Sequence, residues 1–320
     1  MALLSDILLS PEVGITLFID SLLFIPLFIA FFYALVILKN WDKASFSEYQ
    51  YKLEKQSYLV ITLISLALII KTILLPFFVY TLNELASIIP GAMCGAGVLE
   101  SNIYGELTLI LKSIIIILIL LWLSLNRQDQ RVKNYLYFKK KMWFFIIIFF
   151  LIVGELFLEI LFFSNISTLS PVLCCSSIYQ NNENLSAIPS HLSSVELITL
   201  FYALFIAIII SLYLKKRFFI FLFSLFYSYI SYYAITYFFS TYIYELPTHK
   251  CSFCLLQSNY NYIGYYIFAT LFIATFYAFN SAVFKFAQNS YKKAIIFYIL
   301  FNLFVSYNFL LYVVKNGVVL

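Results

Sequence analysis

Long apolar runs recur along this chain, each bounded by a short polar stretch. Eight of them approach or exceed the roughly 20 residues needed to cross a bilayer core as a helix. They lie at roughly 14–38, 57–82, 105–125, 143–163, 195–214, 218–243, 262–284 and 294–314. Backbone polar groups in lipid must be satisfied within their own segment, so helices are the expected form. The alternation expected of a transmembrane barrel is absent. The pattern predicts an all-α polytopic membrane protein of about eight transmembrane helices, with residues 1–320 as a single integral membrane domain.

Composition sharpens this reading. Of the 320 residues 63% are hydrophobic and only 11% charged, which excludes a soluble domain of this size. Basic residues crowd into alternate loops: Lys39, Lys43, Lys52 and Lys55 after span one; Arg127, Arg131, Lys133, Lys139, Lys140 and Lys141 after span three; Lys215, Lys216 and Arg217 between spans five and six; Lys285, Lys292 and Lys293 between seven and eight. The opposite loops and tails hold Lys250 and Lys315. Positive charge marks the inner side, so both termini are expected outside. The net charge of +5 is then a topology signal and no footprint for nucleic acid. No basic n-region precedes span one, which reads as an anchor rather than a cleaved signal. A bacterial inner membrane with outer loops in the periplasm is the expected setting.

The outer loops, at about 83–104, 164–194 and 244–261, carry Cys94, Cys174, Cys175, Cys251 and Cys254, with His191 and His249. Every thiol and imidazole is thus expected on one membrane face, where disulfides form and persist. Spans two and three, four and five, and six and seven read as hairpins closed by these loops. Two of the loops share a pattern: Cys94-Gly-Ala-Gly-Val-Leu-Glu-Ser-Asn102 matches Cys251-Ser-Phe-Cys-Leu-Leu-Gln-Ser-Asn259 at its first Cys, Leu, Ser and Asn. Gly97 stands where the second copy has Cys254.

Cys251-Ser-Phe-Cys254 has the spacing of a redox or metal-binding pair, and its expected place at the start of a helix would stabilise the leading thiolate. His249 adds a base or a ligand. A static disulfide pinning the loop is the plain alternative. The adjacent Cys174 and Cys175 form a disulfide only through a strained small ring. Reduced, they offer two thiolates suited to copper or another soft metal. Because five cysteines cannot all pair within the chain, one at least is a thiol, a ligand or a link to a partner. His191, alone in a polar loop, reads as a solvated residue.

The stretch Cys-Ser-Phe-Cys-Leu-Leu-Gln at 251–257 resembles the C-x-x-C-apolar-apolar-Gln segment of the bacterial disulfide-bond-forming quinone reductases and, more loosely, the vitamin K epoxide reductase family. The resemblance covers seven residues; Ser258 stands where those families commonly have Arg, and they have four or five spans. It implies that Cys251 and Cys254 are a quinone-proximal pair. Cys94 with Cys174 or Cys175 would be shuttle thiols for a thioredoxin-like periplasmic protein. The rival expectation is soft-metal handling by Cys94, Cys174, Cys175, Cys251, Cys254 and His249, with a metallochaperone as partner. A third is a non-catalytic membrane subunit with structural disulfides.

Inside the spans fall Asp20, Lys71, Lys112, Glu155 and Glu159. Charges at such depth are costly and turn inward, pair or line a pathway. Glu155 and Glu159 are four apart and share a helix face. A pairing of Lys71 or Lys112 with either glutamate is expected, with a proton route or polar pocket as the functional alternative. Tyr at 227–244 and 260–266 fits an interfacial aromatic belt. No Walker loop, dinucleotide fingerprint, zinc-protease or haem-attachment motif is present.

Overall fold

The computed structural model describes residues 7–42, 47–132, 137–168, 171–172 and 193–317. Among these residues every regular element is helical and there is no strand. Eight helices among the described residues are long and apolar enough to cross a membrane, one for each predicted span. They are α1 (Pro11–Asn40), α2 (Glu48–Leu85), α4 (Ile103–Arg131), α5 (Phe138–Ser164), α6 (Ser194–Tyr213), α7 (Arg217–Tyr244), α8 (Ile263–Val283) and α9 (Gln288–Asn316). A short helix, α3 (Gly95–Leu99), stands between α2 and α4.

Several helices outrun the apolar stretch that announced them, because caps and not hydropathy set helix ends. Ser47 accepts a hydrogen bond from Gln50 N and starts α2 well before its apolar run. Ser193 and Glu196 form a reciprocal capping box at α6. Pro11 opens α1 where its missing N–H costs nothing, and Gly317 (φ 68°) closes α9 in the left-handed conformation.

The chain divides into two compact units, Met1–Val172 and Leu173–Leu320. The first holds α1 to α5, in which α1 packs on α2 and α5, and α4 on α5. The second holds α6 to α9, in which α7 packs on α6 and α8, and α8 on α9. The element order repeats: two long helices, a cysteine-bearing segment, two more long helices. The nine-residue likeness between the Cys94 and Cys251 segments falls at the same place in each unit.

In the first unit, α1 buries Val13, Thr16, Asp20, Leu23, Leu27, Ala30, Ala34 and Ile37, at alternating steps of three and four. This is the seam of helices packed side by side. Its other faces expose Phe18, Leu22, Ile25, Ile29 and Phe32. Large apolar groups outside and Asp20 inside invert the soluble pattern, as expected of a protein embedded in lipid. Lys71 lies on the buried seam of α2 in the same way. The apolar core around them runs from Leu23 and Leu27 through Ile64 and Leu68 to Trp122, Phe145 and Phe149.

In the second unit the core is aromatic and hydroxyl-bearing. Phe201, Tyr227 and Phe301 cluster with ring centroids 5.3 to 6.2 Å apart, and Tyr298 meets Tyr227 edge-on at 5.4 Å. Asn302 Nδ2 donates to the Tyr227 hydroxyl at 2.7 Å, and Ser228 and Thr275 share a hydrogen bond of 2.9 Å. Near its end α7 passes through a π-helical turn, Ile235–Phe239. Single π turns within α-helices are frequent at functional sites.

Candidate functional site

Two groups of sequence-predicted residues are assembled within the units, one in each. The cysteine pair comes first. Beyond α7, Glu245 turns the backbone with φ 54°, and Tyr244 reaches forward to donate to the Cys251 carbonyl oxygen at 2.5 Å. The Tyr244 ring also lies 4.2 Å from the His249 ring and 4.5 Å from the Tyr260 ring, centroid to centroid. Cys251 and Cys254 are both buried, and their sulfurs lie within 4.8 Å of one another.

The pair is not at the start of a long helix. Cys254 opens a three-residue 3-10 turn, Cys254–Leu256, and α8 begins only at Ile263. Asn261 (φ 52°) and Tyr262 (φ 55°) intervene in the left-handed region. Two consecutive non-glycine residues there break any continuous helix and hold strain of about 1–3 kcal/mol each. The helix-dipole stabilisation expected for Cys251 therefore does not apply. The turn is instead pressed onto α8. A Cβ at Gly264 would lie 2.9 Å from the Leu255 carbonyl carbon and 2.8 Å from Leu256 Cδ2.

Cys94 is fully buried in the first unit, in extended backbone immediately before α3. Asn83 Oδ1 accepts from Gly95 N at 2.9 Å, and Asn102 Nδ2 donates to the Phe162 carbonyl at 3.0 Å. Gly105 then lets α4 pass so close to Leu99 that a Cβ would meet its carbonyl oxygen at 2.1 Å. In both units a glycine in the first turn of the next long helix thus seats the leucine that ends the cysteine segment. Cys174, Cys175 and His191 lie outside the described residues.

The second group is the charged core of the first unit. Lys71 Nζ lies 2.7 Å from Asp20 Oδ1 and 2.7 Å from Glu155 Oε2, the latter an ion pair without hydrogen-bond alignment. Lys112 Nζ contacts Asp20 Oδ2 at 3.3 Å, Glu159 Oε2 at 3.0 Å, and Glu155 Oε1. The Phe78 ring centroid is 4.7 Å from the same ammonium. All five side chains are at most 6% exposed. The expected lysine–glutamate pairing is present, and Asp20 joins it, bridging both lysines.

The cluster lies toward the end of the unit that carries Cys94. Asp20 and Lys112 are each nine residues inside the helix start at that end, about 14 Å at 1.5 Å per residue. A cavity of about 10 Å³ beside Lys71 and Lys112, lined by Leu74, Leu75, Ile115 and Ile116, has room for about one water. The carboxylate oxygens of Asp20, Glu155 and Glu159 lie within 4.8 Å of one another, the spacing of a metal site. The two ammonium groups bonded to them already supply the positive charge a cation would bring.

A second buried ion pair escaped the sequence reading. Lys141, counted there as a loop charge, is buried in the first turn of α5. It donates to Asp129 Oδ2 at 2.7 Å and to Asn126 Oδ1 at 3.0 Å. The Trp122 indole donates to the Lys141 carbonyl at 2.9 Å. The available signal was Asp129 and Lys141 on either side of one short interhelical loop.

Comparison with protein-family models, with curated proteins and with solved structures finds no match. The site's chemistry therefore rests on its own geometry.

Proposed function

We propose that the protein is a membrane thiol–disulfide oxidoreductase in which Cys251 and Cys254 form the reactive pair. The observation that carries this reading is the approach of the two sulfurs to within 4.8 Å on a short turn tied to α7 by Tyr244. A modest rotation about the side chains closes a disulfide bond of about 2.05 Å from that separation. The left-handed residues after the turn hold local strain of the kind that accompanies functional sites. In the oxidising direction the two thiols lose two protons and two electrons and join as a disulfide. A quinone accepts both electrons and both protons and leaves as quinol.

Burial of both thiols favours a lipid-soluble acceptor over direct attack by a soluble protein. Exchange with a thioredoxin-like protein then falls to Cys174 and Cys175, through thiolate attack on a disulfide sulfur, since Cys94 is buried as well. On the charge asymmetry of the loops, the cysteines and both termini face the outer side, the periplasm of a bacterial inner membrane.

The test is turnover in vesicles supplied with a short-chain benzoquinone and a reduced soluble dithiol protein. Changing Cys251 or Cys254 to Ser reduces quinone reduction to the protein-free background. Undiminished turnover in either variant defeats the proposal. A tightly held copper or zinc ion released by those same substitutions, with no turnover in the unaltered protein, establishes soft-metal handling instead.

A further inference from the structure

The charged core of the first unit does not balance. Three carboxyl groups, Asp20, Glu155 and Glu159, face two ammonium groups, Lys71 and Lys112. With all five ionised the cluster carries one uncompensated negative charge in a setting nearly sealed from water. Two details locate the deficit. Glu159 Oε1 is buried and receives no N–H or O–H. Carboxyl oxygens of Glu159 and Asp20 also lie within 4.8 Å of each other. Two carboxylates repel at that range, whereas a carboxyl and a carboxylate bond through the proton of the first.

We propose that this cluster is a proton-binding site that holds one proton between Asp20 and Glu159. The ligand is the proton itself, on an oxygen of one carboxyl and accepted by an oxygen of the other. Each long helix of the unit contributes: Asp20 from α1, Lys71 from α2, Lys112 from α4, Glu155 and Glu159 from α5. With the proton bound the cluster is neutral. Release breaks the O–H bond, passes the proton to water, and leaves one negative charge on the cluster. Intramembrane carboxyl groups arranged in this way are the means by which transporters and pumps move protons. The thiol chemistry proposed above is not needed for this inference.

Infrared spectroscopy of the full-length protein in detergent at neutral pH tests it. A protonated carboxyl has a C=O stretch distinct from that of carboxylates, and it shifts on exchange into deuterated water. One such band is expected in the unaltered chain. Glu159→Gln and Glu155→Gln each leave two carboxyl groups facing two ammonium groups, so each variant loses the band. Glu106→Gln, at an exposed position near the start of α4, keeps it. Both buried substitutions conserve shape, and helicity by circular dichroism verifies that each variant is folded. Absence of the band from the unaltered protein overturns the proposal, and so does its persistence in folded Glu159→Gln. A carboxylate-only spectrum with thermal stability that tracks sodium concentration overturns it in favour of a bound monovalent cation.

Discussion

Replacing Lys112 by Met removes the one ammonium that touches all three carboxyl groups, at nearly constant side-chain volume. Asp20, Glu155 and Glu159 are left with Lys71 alone. The folded protein relieves the added negative charge most readily by binding one more proton. Protonating a carboxyl of ordinary acidity, about 4.3, at pH 7 spans about 2.7 units at 1.36 kcal/mol each, or about 3.7 kcal/mol. That falls within the roughly 3–5 kcal/mol seen when one partner of a buried ion pair is removed. The sign of the pH dependence follows from the extra proton. The folded variant binds more protons than its unfolded chain, so stability falls as pH rises and recovers on acidification. The deficit relative to the unaltered protein should therefore shrink by about 1.4 kcal/mol per pH unit between pH 7 and pH 5. Denaturation in detergent across that range measures it. Adding Glu155→Gln removes the surplus carboxylate and restores most of the loss. A deficit below about 1 kcal/mol at neutral pH, or one that does not change with pH, refutes the reasoning.

Two further outcomes are expected. Lys141→Met strands Asp129 beside the α4–α5 loop and costs about 3 kcal/mol in the same denaturation assay, while adding Asp129→Leu recovers most of it; equal stability of the single variant and the unaltered protein contradicts that pairing. Gly264→Ala forces the Cys254–Leu256 turn away from α8 at a cost of about 1–3 kcal/mol, and Cys254 then alkylates faster than in the unaltered chain; an unchanged alkylation rate shows that the turn is not held by this contact.

The eight spans were legible because a bilayer crossing demands a long apolar run, and nothing else in the sequence imitates one. Helix ends were less legible, since a cap such as Ser47 acts well outside the apolar stretch. The division into two units is a matter of which helices pack together, which hydropathy does not encode. The Cys94 and Cys251 likeness was its one sequence trace. In the charged core, Glu155 and Glu159 declared themselves by spacing and the lysines by depth. The part played by Asp20 was not readable, because it depends on α1 lying against both α2 and α5. Lys141 was misread because its apolar stem lies in the helix while its ammonium group reaches back to Asp129. The C-x-x-C motif was readable as a pair of thiols. Its setting on a turn was not, because the extended backbone of Gln257 and the left-handed backbone of Asn261 and Tyr262 separate it from α8, and hydropathy does not encode backbone conformation.

The proposed function requires Cys251 and Cys254 to interconvert between dithiol and disulfide. Mass mapping under non-reducing conditions tests it directly, on protein purified without reductant or chelator and then equilibrated with excess benzoquinone or with dithiothreitol. The segment containing both cysteines is expected to lose two hydrogens in quinone and regain them on reduction. Two thiols that alkylate fully after quinone treatment, or a stoichiometric copper or zinc adduct in their place, would contradict it.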